Sequence, residues 1–152
     1  MDDIDIKILA CLQEDATLPV GEIAERVGLS STPCWRRIQN LEESGVIQSR
    51  IVLLNPEKLN LGVTVFVVVK TSQHSYDWLE SFAAALSEID EVVEFYRMSG
   101  DIDYMLRIVV PDIAGYDAVY KRLIQSADLS DVSSSFAIER IKLTTAMPLD
   151  YV

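Results

Sequence analysis

The chain has 152 residues, a hydrophobic fraction of 49% and a formal net charge of −11. This length suits one domain or two small ones, and the hydrophobic fraction suffices for packed cores. Residues 1–50 contain nine acidic and five basic residues, which gives a net charge of −4. Residues 51–152 contain fifteen acidic and eight basic residues, which gives a net charge of −7. Both charges argue against a protein that attracts DNA over its whole surface.

The two cysteines, Cys11 and Cys34, are predicted on buried helix faces without the paired spacing of a disulfide or metal site. Free buried cysteines are typical of a reducing cytoplasm. The acidic amino terminus lacks the basic and apolar regions of a signal peptide, and no apolar run approaches the ~20 residues of a membrane span. We therefore expect a cytoplasmic protein with no membrane contact, metal or cofactor.

Helical spacing dominates the first third of the chain. A first helix is predicted over residues 3–14, where Asp2 and Asp3 suit a helix amino terminus. A second helix is predicted over residues 20–27, after Pro19. The inward side chains of the first helix are Ile4, Ile8, Leu9, Cys11 and Leu12.

Residues 28–47 show the pattern of the turn and second helix of a helix-turn-helix. Pro33 suits the first helical position, because its missing N–H would have no partner there. Thr32 is then the predicted N-cap, and Gly45 suits a left-handed helix end. The third helix is therefore predicted from Pro33 to Ser44.

At ~100° per residue, this third helix has one apolar and one polar face. Cys34, Ile38 and Leu41 share the apolar face, and residues 23–29 supply partners for a small core. The polar face carries Thr32, Arg36, Gln39, Asn40 and Glu43. Arginine can bond bidentately to guanine and glutamine to adenine, so Arg36 and Gln39 are predicted to reach base edges.

Other contacts with double-stranded DNA are predicted around that face. Hydroxyl and backbone N–H groups at a helix amino terminus suit phosphate, and Trp35 and Arg37 flank the apolar face as phosphate or packing residues. The predicted DNA-binding residues are Ser30, Ser31, Thr32, Trp35, Arg36, Arg37, Gln39, Asn40 and Arg50. An amphipathic helix with a solvated polar face remains the alternative interpretation.

The local charge is only +1 across residues 29–50. A single copy is therefore predicted to bind DNA weakly, and several linked copies would bind better through their effective concentration.

The rest of the chain predicts a mixed sheet-and-helix domain. A strand is predicted over residues 46–54, and residues 55–62 form a predicted linker that begins at Asn55-Pro56. Strands are then predicted over residues 63–71, 92–98, 104–110 and 136–145, with helices after the first and third of them. The order β-α-β-β-α-β is that of a ferredoxin-like domain. The fold class is therefore α+β, with a helix-turn-helix domain over residues 1–54 and a ferredoxin-like domain over residues 63–152.

The predicted strand over residues 63–71 is apolar on both faces. Val65, Val67 and Val69 alternate with Phe66 and Val68. Helices cover only one face of a ferredoxin-like sheet, so we expect two such sheets to stack face to face in a dimer.

The chain resembles the Lrp/AsnC family of bacterial and archaeal transcription regulators over nearly its whole length. The matching segments are residues 5–9, Gly28-Leu29-Ser30, Arg37-Ile38 with Leu41-Glu42, Gly45-Val46-Ile47, residues 100–104 and residues 142–149. The resemblance implies an N-terminal winged helix-turn-helix domain and a C-terminal domain that binds effectors, often amino acids. It also implies dimers that assemble further, commonly into an octamer. Thr17 stands where the family often has an arginine, so one contact of the family is absent.

The turn at Gly100-Asp101 is the predicted effector site. Glycine allows a close backbone approach, exposed N–H groups could hold a carboxylate, and Asp103 could hold an ammonium group. The resemblance implies a pocket between dimers, with apolar surface from Met98 and Phe136. The predicted effector-binding residues are Met98, Ser99, Gly100, Asp101, Asp103, Ser135, Phe136 and Ala137. A plain β-hairpin turn is the alternative interpretation.

The leading hypothesis is a transcription regulator that responds to an amino acid and has no catalytic residues. The only histidine, His74, lies in a predicted solvated loop, and Ser133, Ser134 and Ser135 have no predicted histidine base nearby. Two alternatives remain open. One is an enzyme similar to the siroheme decarboxylases, which share this architecture. The other is an interaction module whose helix-turn-helix contacts protein.

Overall fold

The computed structural model describes residues 1–152. The chain forms two compact units, Met1–Leu53 with Lys142–Val152 and Leu54–Ile141. None of the helices has the length and apolar composition needed to span a lipid bilayer.

The first unit contains three helices: α1 (Asp3–Glu14), α2 (Val20–Val27) and α3 (Ser31–Glu43). The predicted ranges of α1 and α2 are confirmed. Helix α1 begins with a capping box, in which the Asp2 carboxylate accepts the N–H groups of Ile4 and Asp5. The core of the unit is apolar and contains Ile8, Leu9, Ile23, Ala24, Cys34, Ile38 and Leu41.

Helix α3 begins two residues before the predicted start. Its N-cap is Ser30 rather than Thr32, and the Cys34 N–H donates to the Ser30 carbonyl over 3.2 Å. Pro33 then lies within the first turn, where a missing N–H also costs no intrahelical bond. Gly45 has φ +75°, which confirms the predicted left-handed residue after the helix.

The second unit contains a four-stranded antiparallel sheet with the order β2-β3-β1-β4. Its elements are a short 3-10 helix (Pro56–Leu59), β1 (Val63–Lys70), α4 (Tyr76–Ser87), β2 (Val92–Arg97), β3 (Tyr104–Val110), α5 (Ile113–Ser126) and β4 (Asp131–Phe136). The predicted β-α-β-β-α-β order is confirmed. Alternate residues of β1 and β3 are buried in one core with Phe82, Leu86, Val119 and Leu123.

Two predicted strands are wrong. Residues 46–54 form no strand, and residues 48–54 make no backbone hydrogen bond because no strand of this chain lies beside them. The last strand, predicted over residues 136–145, lies instead at Asp131–Phe136. Strand β4 pairs with β1 as far as Val65, and the Ala137 N–H makes the last bond, to the Thr64 carbonyl. The chain then leaves the sheet.

The unit limits also differ from the predicted domain limits. Residues 142–152, which the sequence prediction assigned to the second domain, lie with the first unit. Leu149 packs against the core of that unit, and the Gln13 side-chain amide donates to the Met147 carbonyl and accepts its N–H. Residues 55–62, predicted as a linker between the domains, group with the second unit, and the Asn55 side chain caps their 3-10 helix.

Candidate DNA-binding surface and effector site

The turn between α2 and α3 sets the direction of the third helix. Gly28 has φ +75°, and the Leu29 N–H donates to the Ala24 carbonyl over 2.8 Å. A positive φ is easily adopted by glycine, so α2 ends in a tight Schellman turn. Cys34 and Ile38 then face the core, and burial raises the pKa of the Cys34 thiol. The opposite face of α3 is left to solvent.

That solvent face carries most of the side chains predicted to contact DNA. Ser31, Thr32, Arg36 and Asn40 are exposed, as is the N-cap Ser30. Arg36 makes no hydrogen bond or ion pair with the rest of the chain, so its guanidinium keeps all its donors available. Thr32, Arg36 and Asn40 therefore share the polar face of α3, whereas Ser30 and Ser31 are exposed at its amino terminus, where the Ser31 hydroxyl lies beside Gly21 of α2.

Gln39 and Trp35 differ in how accessible their side chains are. Gln39 is half-buried, and its amide donates to Glu42 over 3.1 Å, so it is partly engaged. Trp35 is 51% exposed, so its indole lies on the protein surface rather than in the core, and its predicted phosphate contact stays a prediction.

Arg37 and Arg50, both predicted to contact DNA, have carboxylate partners. Arg37 Nη1 donates to both carboxylate oxygens of Asp2, at 2.9 and 2.8 Å, and to Asp5 Oδ1 at 2.8 Å. Arg50 Nη2 lies 3.0 Å from Glu42 Oε1. Hydrogen bonds to Asp5 and Asp2 raise the pKa of Arg37. The pKa of Asp2 is lowered, mainly by the hydrogen bond that its carboxylate accepts from the Asp5 N–H and next by the one from Arg37.

A cavity of about 690 Å³ lies beside the solvent face of α3. Its lining combines apolar and polar side chains from α3, the residues after it and the start of the chain: Met1, Asp5, Pro33, Arg36, Arg37, Asn40, Leu41, Ser44 and Val46. Arg36 and Arg37 therefore border the same concave surface.

The predicted effector loop joins β2 to β3. Gly100 has φ +120°, a conformation that other residues rarely adopt. The Met98 N–H donates to the Asp103 carbonyl over 2.8 Å, and the Asp103 N–H donates to the Val69 carbonyl over 3.1 Å. These bonds fix both ends of the loop, while the N–H groups of Ser99, Gly100 and Asp101 make no hydrogen bond within the chain.

The two carboxylate oxygens of Asp103 have different surroundings. Oδ2 accepts the Thr71 N–H over 2.9 Å, whereas Oδ1 lies 3.9 Å from Nδ1 of His74. The sequence prediction missed both neighbours. They follow β1, and only the pairing of β1 with β3 brings them beside this loop. Oδ2 of Asp103 therefore holds the backbone of Thr71, and Oδ1 is the oxygen available to bind a ligand.

Ser135, Phe136 and Ala137 lie away from that loop within one chain. Phe136 pairs with Val65, at the start of β1, whereas the loop bonds to Val69, four residues further along. At ~3.3 Å per residue, this separation is about 13 Å along the strand. Phe136 also stacks edge-on against Tyr116, with ring centroids 5.2 Å apart. One chain does not bring the two parts of the predicted site together.

Comparisons with known proteins agree with this architecture. Residues 1–48 match a winged helix-turn-helix DNA-binding family, and residues 64–147 match the Lrp/AsnC ligand binding domain. The glutamate uptake regulatory protein of Zymomonas mobilis is 50% identical over 98% of this chain and 91% of its own length. The DNA-binding transcriptional activator DecR of Escherichia coli is 48% identical over 99% of each chain.

Solved structures give the same result over the full length. An AsnC family transcriptional regulator from Agrobacterium tumefaciens has a TM-score of 0.96 and 62% identity, covering 99% of each chain. A transcriptional regulator from Neisseria meningitidis, solved as a complex with L-Met, has a TM-score of 0.93 and 37% identity, covering 99% of this chain and 98% of its own. The predicted fold class is confirmed. The chain belongs to the Lrp/AsnC family of transcriptional regulators.

Proposed function

We propose that this protein is a sequence-specific DNA-binding regulator of transcription that responds to an amino acid. The observation that carries the proposal is the solvent face of α3, where Arg36 has no partner in the chain and lies opposite the buried Cys34 and Ile38. An exposed arginine on the second helix of a helix-turn-helix is placed to enter the major groove. The similarity to DecR, a DNA-binding transcriptional activator, supports the same function.

Within this proposal, base and phosphate contacts fall to different side chains. Arg36 bonds bidentately to guanine and Asn40 to adenine. Gln39 joins them only after releasing Glu42. The N-terminal residues of α3 contact phosphate through hydroxyl and N–H groups, as do the flanking side chains. These are Ser30, Ser31, Thr32, Trp35 and Arg50. Arg37, also predicted to contact DNA, is held instead by Asp2 and Asp5.

The effector in this proposal is a free amino acid. The N–H groups of Ser99, Gly100 and Asp101 bind its carboxylate, and Asp103 Oδ1 binds its ammonium group. Because Phe136 lies about 13 Å along the sheet from this loop in one chain, it lines the pocket from another copy. The L-Met complex of the Neisseria meningitidis regulator supports this class of ligand.

The proposed assembly is a homo-oligomer built from dimers. The sheet face away from the helices carries apolar side chains around an Arg107–Glu94 ion pair, and Phe66 and Tyr96 on it are 39% and 50% exposed. Residues 48–54 and 138–145 form no helix or strand, make no backbone–backbone hydrogen bond and are rich in exposed aliphatic side chains. Both surfaces gain partners when a second copy is present. Such a regulator acts in the cytoplasm, where bacterial DNA lies.

The test begins with selection of duplexes from a random library by the purified full chain. We expect enriched pseudo-palindromic sites, with half-sites about one DNA turn apart. Fluorescence anisotropy on one selected duplex, with and without each of the twenty amino acids, then identifies the effector. Failure to prefer the selected duplex over a shuffled one contradicts the proposal. A changed visible spectrum of an added tetrapyrrole would favour an enzyme instead.

A further inference from the structure

The arginines of the helix-turn-helix unit are nearly all paired with carboxylates. Arg26 pairs with Glu22 and Glu14, Arg37 with Asp2 and Asp5, and Arg50 with Glu42. Arg36 is the exception among the four. A surface proposed to face DNA therefore presents one unpaired guanidinium, although its sequence offers several.

Of the three paired arginines, Arg37 lies nearest to the face of α3 that is proposed to contact DNA. It follows Arg36 in α3 and so lies about 100° further round the helix, at the border of the face that carries Arg36 and Asn40. Arg36 and Arg37 line the same cavity. A side chain at the border of a groove-reading face is placed to meet the phosphates of the groove wall rather than the bases.

The partners of Arg37 hold it by three hydrogen bonds of 2.8 to 2.9 Å, all from Nη1. Both carboxylates come from the first turn and N-cap of α1, and Asp2 also accepts the Ile4 and Asp5 N–H groups there. The carboxylates are therefore held in place by the cap of α1. They offset the positive charge at the border of α3 and occupy both N–H groups of Arg37 Nη1, which holds the guanidinium against the start of α1.

We propose that Asp2 and Asp5 are specificity-determining residues that withhold Arg37 from DNA phosphates. Phosphate contacts raise the affinity for every sequence alike, whereas Arg36 acts on particular bases. Withholding Arg37 lowers the affinity for non-specific DNA and so raises the ratio of specific to non-specific affinity. This ratio determines how fully the specific sites in a genome are occupied. The inference rests on the proposed DNA-binding function and adds to it two acidic residues outside the reading helix.

The test is the double substitution Asp2→Asn with Asp5→Asn. Asparagine is a good N-cap and keeps an acceptor oxygen, so the start of α1 is preserved while the charges that hold Arg37 are removed. We expect non-specific affinity, measured by anisotropy on a shuffled duplex, to rise about threefold or more at 0.1 M salt. The slope of log affinity against log salt should steepen by about 0.9 for each added phosphate contact. The ratio of specific to non-specific affinity should fall.

Two controls separate withholding of Arg37 from a general loss of negative charge. The variant Asp3→Asn with Glu25→Gln removes two exposed charges of the same unit that do not touch Arg37, and it should leave the salt slope unchanged. Adding Arg37→Gln to the Asp2/Asp5 variant should abolish its gain. An equal gain in the charge control, or a gain that survives Arg37→Gln, overturns the inference.

A second measurement does not depend on the folding of the double variant. Arg37→Gln alone should change non-specific affinity less than twofold, because the withheld arginine contributes no phosphate contact. A large loss in that single variant overturns the inference while leaving the proposed function intact. If the wild-type chain itself shows no preference for selected duplexes, the proposed function fails, and the inference fails with it.

Discussion

The two units of this protein differ in how much of a site one chain contains. The helix-turn-helix unit presents its proposed DNA-binding face on one 13-residue helix, and Arg36 and Asn40 are exposed without any second copy. The sheet unit divides its proposed effector residues between two ends of β1. The first proposed surface is complete within a chain, whereas the second, as proposed, requires residues of another copy. Effector binding is therefore expected to depend on assembly, and assembly to raise the weak DNA affinity of each single copy.

The cores of the two units differ as well. The first core is made of aliphatic side chains, one alanine and one cysteine, while the second contains Phe82 in edge-on contact with Phe95 and Tyr104. Aromatic side chains bury the most apolar area per residue. The second unit is therefore expected to be the more stable of the two.

The largest expected effect is that of Phe82→Ala, which tests the stability of the sheet unit. Phe82 is fully buried, so the free energy of unfolding should fall by about 3–5 kcal/mol. Urea denaturation measured by circular dichroism would show it. The matched control is Tyr76→Ala on the same helix, which is exposed and should change stability by less than ~0.5 kcal/mol. Similar losses in both variants would contradict the assigned core.

The substitution Arg36→Ala tests whether the exposed face of α3 recognises bases within a single chain. Loss of one bidentate base contact should weaken binding to a selected duplex by about 1–3 kcal/mol, or 5- to 160-fold. Binding to a shuffled duplex should change much less. Arg26→Ala, which removes an arginine paired with Glu22, serves as the control and should leave both affinities within twofold. Unchanged footprints with the Arg36 variant would refute its role in base recognition.

Asp103→Asn tests the divided effector site. Asparagine keeps an oxygen for the Thr71 N–H but removes the charge proposed for the ammonium group. A hydrogen bond to a charged group contributes about 1.5–3 kcal/mol, so affinity for the amino acid should fall at least tenfold by calorimetry. DNA binding without effector should persist, and Asp77→Asn on α4 is the charge-matched control. Equal affinity of the wild type and the Asp103 variant would exclude this carboxylate.

The smallest expected effect is a pH dependence of stability. Arg107 is the main cause of the lowered pKa of Glu94. Because the folded pKa lies below the unfolded one, the ion pair stabilises the protein above the ordinary glutamate pKa, and this contribution is lost as pH falls through the lowered value. The pair is partly exposed, so we expect less than ~1 kcal/mol. Melting temperatures from pH 3 to 7 should fall less steeply for Glu94→Gln than for the wild type, and parallel curves would contradict the pairing.

Local signals in the sequence predict the first two helices correctly. The ranges of α1 and α2 follow from caps and helical spacing within a few residues. The start of α3 was misplaced because Ser30, Ser31 and Thr32 can each cap a helix, and the choice depends on packing of the whole helix. The two predicted strands at residues 46–54 and 136–145 have suitable side chains, but a strand also requires a neighbour, which the local pattern does not specify.

In the candidate sites, too, local features were predictable from the sequence and long-range contacts were not. The faces of α3 were predictable from its periodicity, and the Gly100 turn from its residues. The partners were not predictable, because Asp2 and Arg37 are 35 residues apart, and Thr71 and His74 meet Asp103 only through the pairing of two strands. Long-range contacts of this kind determine which predicted arginines remain available for DNA.

The most direct test of the account is native mass spectrometry of the full chain with a selected duplex, combined with footprinting of that duplex. The account predicts an even number of copies, two or more, on each duplex, and protected half-sites about 10 base pairs apart on one face of the DNA. A chain that remains monomeric and protects selected and shuffled duplexes equally would contradict it.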